Sequence, residues 1–405
     1  MNIPVNECSS CGACANICVH NAISMELDNE GFYRPVIDAS KCVKCGLCER
    51  TCPWINIVTN PNLASGTPKT IAAFAKDESI RLESSSGGIF TVLAQKILNE
   101  GGIVAGVAQI KPTRFGHIII DNKTDLSKLR GSKYVQADVG FVYREIRTLL
   151  KSGRKVLFSG TPCQVAALYA VLGSKANTPN LYTVDIVCHG TPSVKVFEKY
   201  VKETETENSA YASSTIFRNK QKGWRLFSMT TSLNTISGDH FHFSKTLNKD
   251  KFLQFFFKNI CLNTSCADCH YAKLPRVADI TLGDFWGIEK FHPKMDDNKG
   301  TSMVLLNTEH GIKLFDSIIN HTILCNSKIE YAIAGNHNIN RSSMIHPKRN
   351  DFFQLLDNHS LKELIALYKL KPSFREQFFS SIITILWKFY QKLAIFFNGL
   401  LQKKF

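Results

Sequence analysis

Several functional signatures are missing from these 405 residues. There is no zinc finger, no RNP motif and no basic helical run. Nucleic acid is therefore not an expected partner, although 49 Lys and Arg against 34 Asp and Glu give a net charge of +15. No basic n-region leads into an apolar h-region, because "MNIPVNECSSCG" runs directly into cysteine, so export is not expected. Without an export signal, fourteen cysteines speak for metal or redox chemistry in a reducing, cytoplasmic compartment and against a disulfide framework. The most apolar stretch, "SSIITILWKFYQKLAIFFNGLLQKKF", carries Lys388 and Lys392 within it and is too charged to span a bilayer comfortably.

The charge that is present is uneven. Residues 1–58 carry four Lys/Arg against six Asp/Glu, net −2, whereas residues 346–405 carry ten against four, net +6. A basic balance of this kind suits anionic lipid, phosphorylated cofactors and acidic electron-carrier proteins.

Cysteine is concentrated at the start. Cys8, Cys11, Cys14 and Cys18 follow a C-x2-C-x2-C-x3-C spacing, and Cys42, Cys45, Cys48 and Cys52 repeat it 34 residues later, with Pro53 after Cys52. Three thiolates on one tight loop grip three irons of a cubane, and the fourth ligand comes from the other repeat. Cluster one is thus expected on Cys8, Cys11, Cys14 and Cys52, and cluster two on Cys42, Cys45, Cys48 and Cys18. Gly12 and Gly46 each follow a second cysteine, where the loop must bend around metal. The intervening "AISMELDNEGFYRPVID" alternates as a small hairpin does. Zinc knuckles show paired C-x2-C units, not a triplet plus one. The head resembles bacterial two-cluster ferredoxins over residues 1–58, departing only at Val19, where the second repeat has proline. "TNPNLASGTPKT", residues 59–70, reads as a linker.

Beyond it, strand-like and helix-like runs alternate. "TIAAFAK", "IVAGVAQ", "KVLFSG" and "LYTVDIVCHG" read as strands, and "SSSGGIFTVLAQKILNEGG", "VGFVYREIRTLLKSG" and "TPCQVAALYAVL" as helices, which predicts an α/β body with a mixed or parallel sheet. Cys163 and Cys188 each close a predicted strand, and Cys266 and Cys269 form a lone C-x2-C. Cys163 at a helix start also has the placement of a reactive thiol. Two strand-end thiols plus a chelating pair make four ligands, enough for a third four-iron cluster or one zinc. Cys261 and Cys325 fall outside these patterns and read as core.

"SSSGGIFTVLA", "GSKYVQ", "SGTPCQVAAL", "VDIVCHGTPS", "FRNKQKGW", "SCADCHYAK" and "ADITLGDFWGI" resemble the family of coenzyme F-420 hydrogenase/dehydrogenase beta subunits over about residues 70–310. The resemblance implies a flavoprotein with FAD beside a 4Fe-4S cluster held by Cys163, Cys188, Cys266 and Cys269. It also favours Ser86, Gly87 and Gly88, which open a helix, as pyrophosphate binders over a simple close-packed cap. Gly131, Ser132, Lys133 and Tyr134 form a second flavin-binding candidate, with Lys133 near the ring or phosphate. There Lys133 is a candidate catalytic cation that would stabilise the reduced anion, with a surface loop lysine as the rival reading. Arg218, Lys220 and Trp224 suit an anionic, ring-containing substrate, with a solvated loop as the rival. His189, beside Cys188, is a candidate proton relay, with structural hydrogen bonding as its rival.

The expected architecture is an α+β ferredoxin-like two-cluster head (1–58), a linker (59–70), an α/β flavin-binding body in two parts (71–175 and 176–345) and a basic tail (346–405) ending in an amphipathic helix. That helix suits a membrane surface or docking against the body or a partner. The expected activity is an iron–sulfur flavoprotein oxidoreductase linking an external low-potential carrier, such as a ferredoxin or redox subunit, to a small-molecule substrate. Relatives of this layout point to polysaccharide biosynthesis. Deazaflavin coenzyme oxidoreduction and a non-catalytic electron-transfer subunit are the alternatives.

Overall fold

The apolar runs of the body alternate too little to leave one face wet, and such strands are stable only when covered on both sides. A computed structural model describes residues 7–63 and 66–370. In the head, β1 (Ile23–Leu27) and β2 (Tyr33–Ile37) pair as an antiparallel hairpin between the two cysteine runs. The body continues with β3 (Lys69–Ala75), β4 (Ile103–Lys111), β5 (Arg114–Ile120), β6 (Ala137–Asp138), β7 (Val156–Gly160) and β8 (Leu181–Ile186). Next come β9 (Ala210–Asn219), β10 (Ser228–Thr235) and β11 (His240–Thr246), an antiparallel three-stranded sheet. The remaining strands are β12 (Ile280–Asp284), β13 (Ser302–Leu306) and β14 (Thr322–Ser327).

Nine strands make one mixed sheet in the order β14-β3-β13-β12-β8-β7-β4-β5-β6. Its centre, β12, β8, β7 and β4, is parallel, and the flanking pairs are antiparallel except β5 with β6. Strands from residues 71–175 and 176–345 interleave in it: β7 and β8 are neighbours, and β3 lies between β13 and β14. The parallel centre brings the carboxyl ends of β7, β8 and β12 to one edge, where open α/β sheets place their ligands. The expected helices run over Ile89–Asn99, Val142–Lys151 and Pro162–Leu172. The last begins with Thr161 and Gln164 capping each other's backbone N–H groups and with Pro162 in its first turn.

The head is sunk into the body. Cys11 and Ala13 share a core with Tyr143, Phe158, Val165 and Tyr271 on one face of the large sheet. Complete burial of side chains such as Phe158 is worth about 1.5–3 kcal/mol each. Polar staples reinforce it. From the body helix Val142–Lys151, Arg144 donates to the carbonyl oxygens of Ala15, Asn16 and Cys18, each at 2.6 Å. Arg349 pairs with Glu30 beside the hairpin turn. The linker is anchored too, since buried Asn60 donates to the Tyr169 hydroxyl at 2.9 Å and to Asp279 at 3.3 Å.

Helices Arg349–Leu355 and Leu361–Leu367 bury Phe352, Leu361 and Leu364 in the core around β9 and β10. The amphipathic helix expected over the final residues lies outside the described residues. Among the described residues no helix is long and apolar enough to cross a membrane.

Near the carboxyl edge, Arg276 reaches Asp185 at 3.0 Å with both side chains buried. Removing one partner of a buried pair strands the other's charge. Arg276→Met is expected to lower unfolding free energy by about 3–5 kcal/mol, read by chemical denaturation.

Candidate redox centre

Two head loops carry the repeated cysteines, and their backbones repeat as well as their sequence. Ser10 and Lys44, at φ 58° and 55°, precede Cys11 and Cys45, and Gly12 and Gly46, at φ 74° and 69°, follow them. Left-handed backbone at both positions is what lets a loop curl its thiols inward. Cys8, Cys11, Cys14 and Cys52 are all buried. Burial, then the charges of Cys11, Cys8 and Cys52, pushes the Cys14 thiol far above its ordinary range, so these four thiols are neighbours. Cys18 and Cys48 pack against Cys14 and Ile23, and Cys48 feels Cys45, which is exposed.

The body thiols converge from three chain segments. Cys163 sits in the first turn after β7, with its Sγ 3.1 Å from Thr161 Oγ1. Cys188 lies two residues past β8, and Cys266 accepts from the Thr191 N–H at 3.3 Å. With Cys269 they line one small cavity, and among the described residues every cysteine is a free thiol. Burial, and then the proximity of Cys266 and Cys269, pushes Cys188 up to about 12. Burial pushes Cys266 up to about 11. Burial, then Cys269, Cys188 and Cys266, raises Cys163 well above its ordinary range. Among the described residues no three His, Cys, Asp or Glu side chains meet so as to hold a single ion. Cys261 is fully buried in the aromatic core, and Cys325 lies on β14, paired with β3 away from the other thiols.

The inner head thiols adjoin the body set. Cys11 feels the charge of Cys163, and the Tyr143 hydroxyl stands 3.0 Å from the carbonyl oxygens of both Cys11 and Gln164. Trp54, two residues past Cys52, lines the body-thiol cavity and stacks on His270 with ring centroids 4.2 Å apart. The Tyr271 hydroxyl donates to the Pro53 carbonyl at 2.9 Å and accepts from the Val58 N–H at 3.2 Å. Arg34 Nη1 and Asn263 Nδ2 both donate to the Cys8 carbonyl, at 2.5 and 3.1 Å. Sequence reasoning missed Trp54, Tyr143 and Arg34; the only local signal was the placement of Trp54 immediately after Cys52-Pro53.

Cys163 and Cys188 also line a second, larger cavity of about 470 Å³. Ser86, Gly88, Gly131, Ser132, Lys133 and Tyr134 face it, as do His189 and Arg218. Gly87 does not; its Cα is packed so that a Cβ would sit 2.5 Å from the Ala73 carbonyl oxygen and 2.8 Å from the Ser302 nitrogen. Gly88, at φ 85°, caps the helix Ile89–Asn99, whose first turn opens onto the cavity. Ser85 Oγ, absent from the sequence candidates, accepts from the Ser132 N–H at 2.7 Å and so ties the two loops together.

Arg218 pairs with Asp284, which also accepts from Trp224 Nε1 at 2.7 Å. Trp224 is buried against Trp286 and does not reach the cavity. Lys220 turns away as well, with Nζ donating to the carbonyl oxygens of Arg81 and Lys299 at 2.6 Å and of Ser86 at 2.9 Å. His189 is held by Asn259 at 2.6 Å and stands edge-on to Phe256, and burial lowers its pKa. Several buried donors on the cavity wall have no protein partner: Gln136 Nε2, Arg130 Nε, and Arg218 Nε and Nη2. A buried polar group without a partner is costly, so such a row of donors marks the wall that a polar ligand would satisfy.

Residues 7–55 match the family model of a 4Fe-4S dicluster domain. Residues 70–142 and 153–331 match the N-terminal and C-terminal models of the coenzyme F420 hydrogenase/dehydrogenase beta subunit. An uncharacterized protein of Methanocaldococcus jannaschii is 26% identical over 199 residues, covering 42% of this chain and 54% of that protein. A subunit of the F420H2 dehydrogenase of Methanosarcina mazei is 22% identical over 190 residues, covering 45% and 53%. The chain thus spans about half the length of the curated relatives it matches. A structure of the F420-reducing NiFe hydrogenase complex from Methanosarcina barkeri aligns with 76% of this chain and 94% of that chain, at a TM-score of 0.43 and 18% identity.

Lys133 donates to the carbonyl oxygens of Arg130 at 2.9 Å and Lys128 at 3.2 Å, and loss of water lowers its pKa to about 7. An unfolded lysine keeps its proton to about pH 10.4, so between these values the unfolded chain binds more protons and stability rises with pH. The difference in unfolding free energy between wild type and Lys133→Met is expected to move in favour of wild type from pH 7 to pH 9. A pH-independent difference would show that the folded chain keeps that proton.

Proposed function

The chain belongs to the family of coenzyme F420 hydrogenase/dehydrogenase beta subunits and carries a 4Fe-4S dicluster domain, and from that premise we propose an iron–sulfur flavoprotein oxidoreductase. It would link an external one-electron carrier to a small substrate bound in the 470 Å³ cavity. The observation that carries this reading is the sharing of Cys163 and Cys188 between the thiol-lined cavity and the large cavity.

In the head, Cys8, Cys11, Cys14 and Cys52 would hold one cluster, and Cys18, Cys42, Cys45 and Cys48 the other. Cys163, Cys188, Cys266 and Cys269 would hold the third. The donor chemistry fits: free thiols stripped of water and crowded by one another gain most from a cationic centre that accepts them as thiolates. The large cavity is in the size range of cofactor sites and offers the helix start after Gly88, together with unpartnered donors, to an anionic ligand such as FAD. Bound there, FAD would supply two-electron chemistry and the clusters one-electron storage.

The chain's own residues do the rest. Arg218 sets a positive wall for a phosphate or a reduced ring, and Lys133, neutral in the folded chain above about pH 7, offers an N–H donor beside it. Asp284 holds the Arg218 guanidinium charged and aimed. His189, beside Cys188 and facing the cavity, stands where a proton could be given to or taken from a bound ring.

A deazaflavin coenzyme is the second reading of the substrate, favoured by the family description and by the name of the Methanosarcina mazei relative. Reoxidation of the reduced protein by that coenzyme separates it from other small substrates.

Anaerobic purification is expected to give about twelve irons and one flavin per chain, from three four-iron clusters. Eight irons and no flavin would instead support a relay subunit. Cys163→Ser is expected to lose about four irons and spare the head, since one cubane alone is opened, whereas Cys325→Ser keeps the full count. Full iron in Cys163→Ser would remove the body cluster from the account.

A further inference from the structure

The two head loops repeat in sequence and backbone but not in surroundings. Cys11 is buried together with Ser10 and Gly12 beside it, while the second loop is open: Cys45 is the exposed thiol among the described cysteines. Apolar side chains beside its partners face water, with Val43, next to Cys42, 58% exposed and Val19, next to Cys18, 75% exposed.

Charge sorts the same way. The head is net negative, yet three of its four basic residues, Lys41, Lys44 and Arg50, fall within ten residues around Cys42, Cys45 and Cys48. All three are exposed, and the fourth, Arg34, is buried against Cys8. Lys41 is shared with Asp38 at 2.8 Å, whereas among the described residues Lys44 and Arg50 make no ion pair. A small apolar centre with a charged rim is the anatomy of a weak, transient protein contact.

We propose that this rim, Val19, Val43, Lys44, Cys45 and Arg50, is the docking face for an acidic one-electron carrier protein. Positive charge over an otherwise negative head steers and orients such a partner and turns away a basic one. On contact the reduced carrier gives up one electron and this protein takes it, with no bond made and no proton moved. The inference rests on the functional reading above, because it assigns the entry end of the same route.

The test uses the full-length protein purified anaerobically, with a plant-type ferredoxin of net negative charge as probe. Its Kd and its rate of electron delivery are measured against ionic strength, with dithionite as the small-molecule comparison. For wild type, both binding and delivery are expected to weaken as salt rises. The double variant Lys44→Glu/Arg50→Glu is expected to bind the ferredoxin about tenfold more weakly at low salt, deliver about tenfold more slowly, and lose most of the salt dependence. Its iron content and its reduction by dithionite should match wild type. Val43→Ser, which leaves the charges alone, is expected to weaken binding without flattening the salt dependence.

Ferredoxin binding that the double variant leaves unchanged would overturn the docking assignment, as would wild-type binding indifferent to salt. A particle mass on light scattering that falls from wild type to the double variant would instead identify the rim as a contact between two copies of this chain, which also overturns it. A wild-type protein short of iron fails at the functional reading, before any docking is measured.

Discussion

The structure depends on one contact, the burial of the inner cysteine loop of the head against the large sheet. Cys11 and Ala13 are part of the same apolar core as Tyr143, Phe158 and Val165, so the head is a layer of the body and not a bead on a linker. Apolar burial supplies the attraction, and directional bonds set the register. Arg144 grips three carbonyls of the first loop, Tyr271 grips Pro53, and Arg34 with Asn263 fixes Cys8. A rotation of the head would break several of these at once.

From that contact follows an order of thiol sets running from surface to interior. The outer head set includes exposed Cys45, the inner head set is buried, and the body set opens onto the large cavity. The parallel centre of the sheet sets the last of these, since it delivers Cys163 and Cys188 from adjacent strand ends to one edge. Each set also has a cation close by. Arg34 lies beside Cys8, Arg144 beside Cys18, and Arg276 beside Cys188 and Cys269. Nearby positive charge and solvent exclusion are the levers by which a protein sets cluster potentials, so under the proposed three-cluster reading these arginines would tune the sets apart.

Much of this was legible in the amino acids. The doubled cysteine spacing needs no tertiary context, because a metal loop is a local object, and the repeat appears again in the backbone at Ser10 and Lys44 and at Gly12 and Gly46. The strand–helix rhythm likewise located β3, β4, β7 and β8, whose apolar runs are local signals. What depends on long-range contact was not legible. Lys220 and Trp224 look free in sequence, but their partners lie on segments far along the chain: Arg81 and Lys299 carbonyls for one, Asp284 and Trp286 for the other. Gly87 and Gly88 read alike as a pair, yet one is needed where a Cβ would strike β3 and the other where the backbone is left-handed at a helix start. Trp54 gives no periodic signal at all, and its place beside the body thiols comes only from the docking of the head.

The most direct measurement of the central claim is iron-edge anomalous diffraction from crystals grown without oxygen. The account predicts three separate iron peaks, one inside each thiol set, with the inner head peak between the other two. Two peaks confined to the head, or a third peak away from Cys163, Cys188, Cys266 and Cys269, would contradict it.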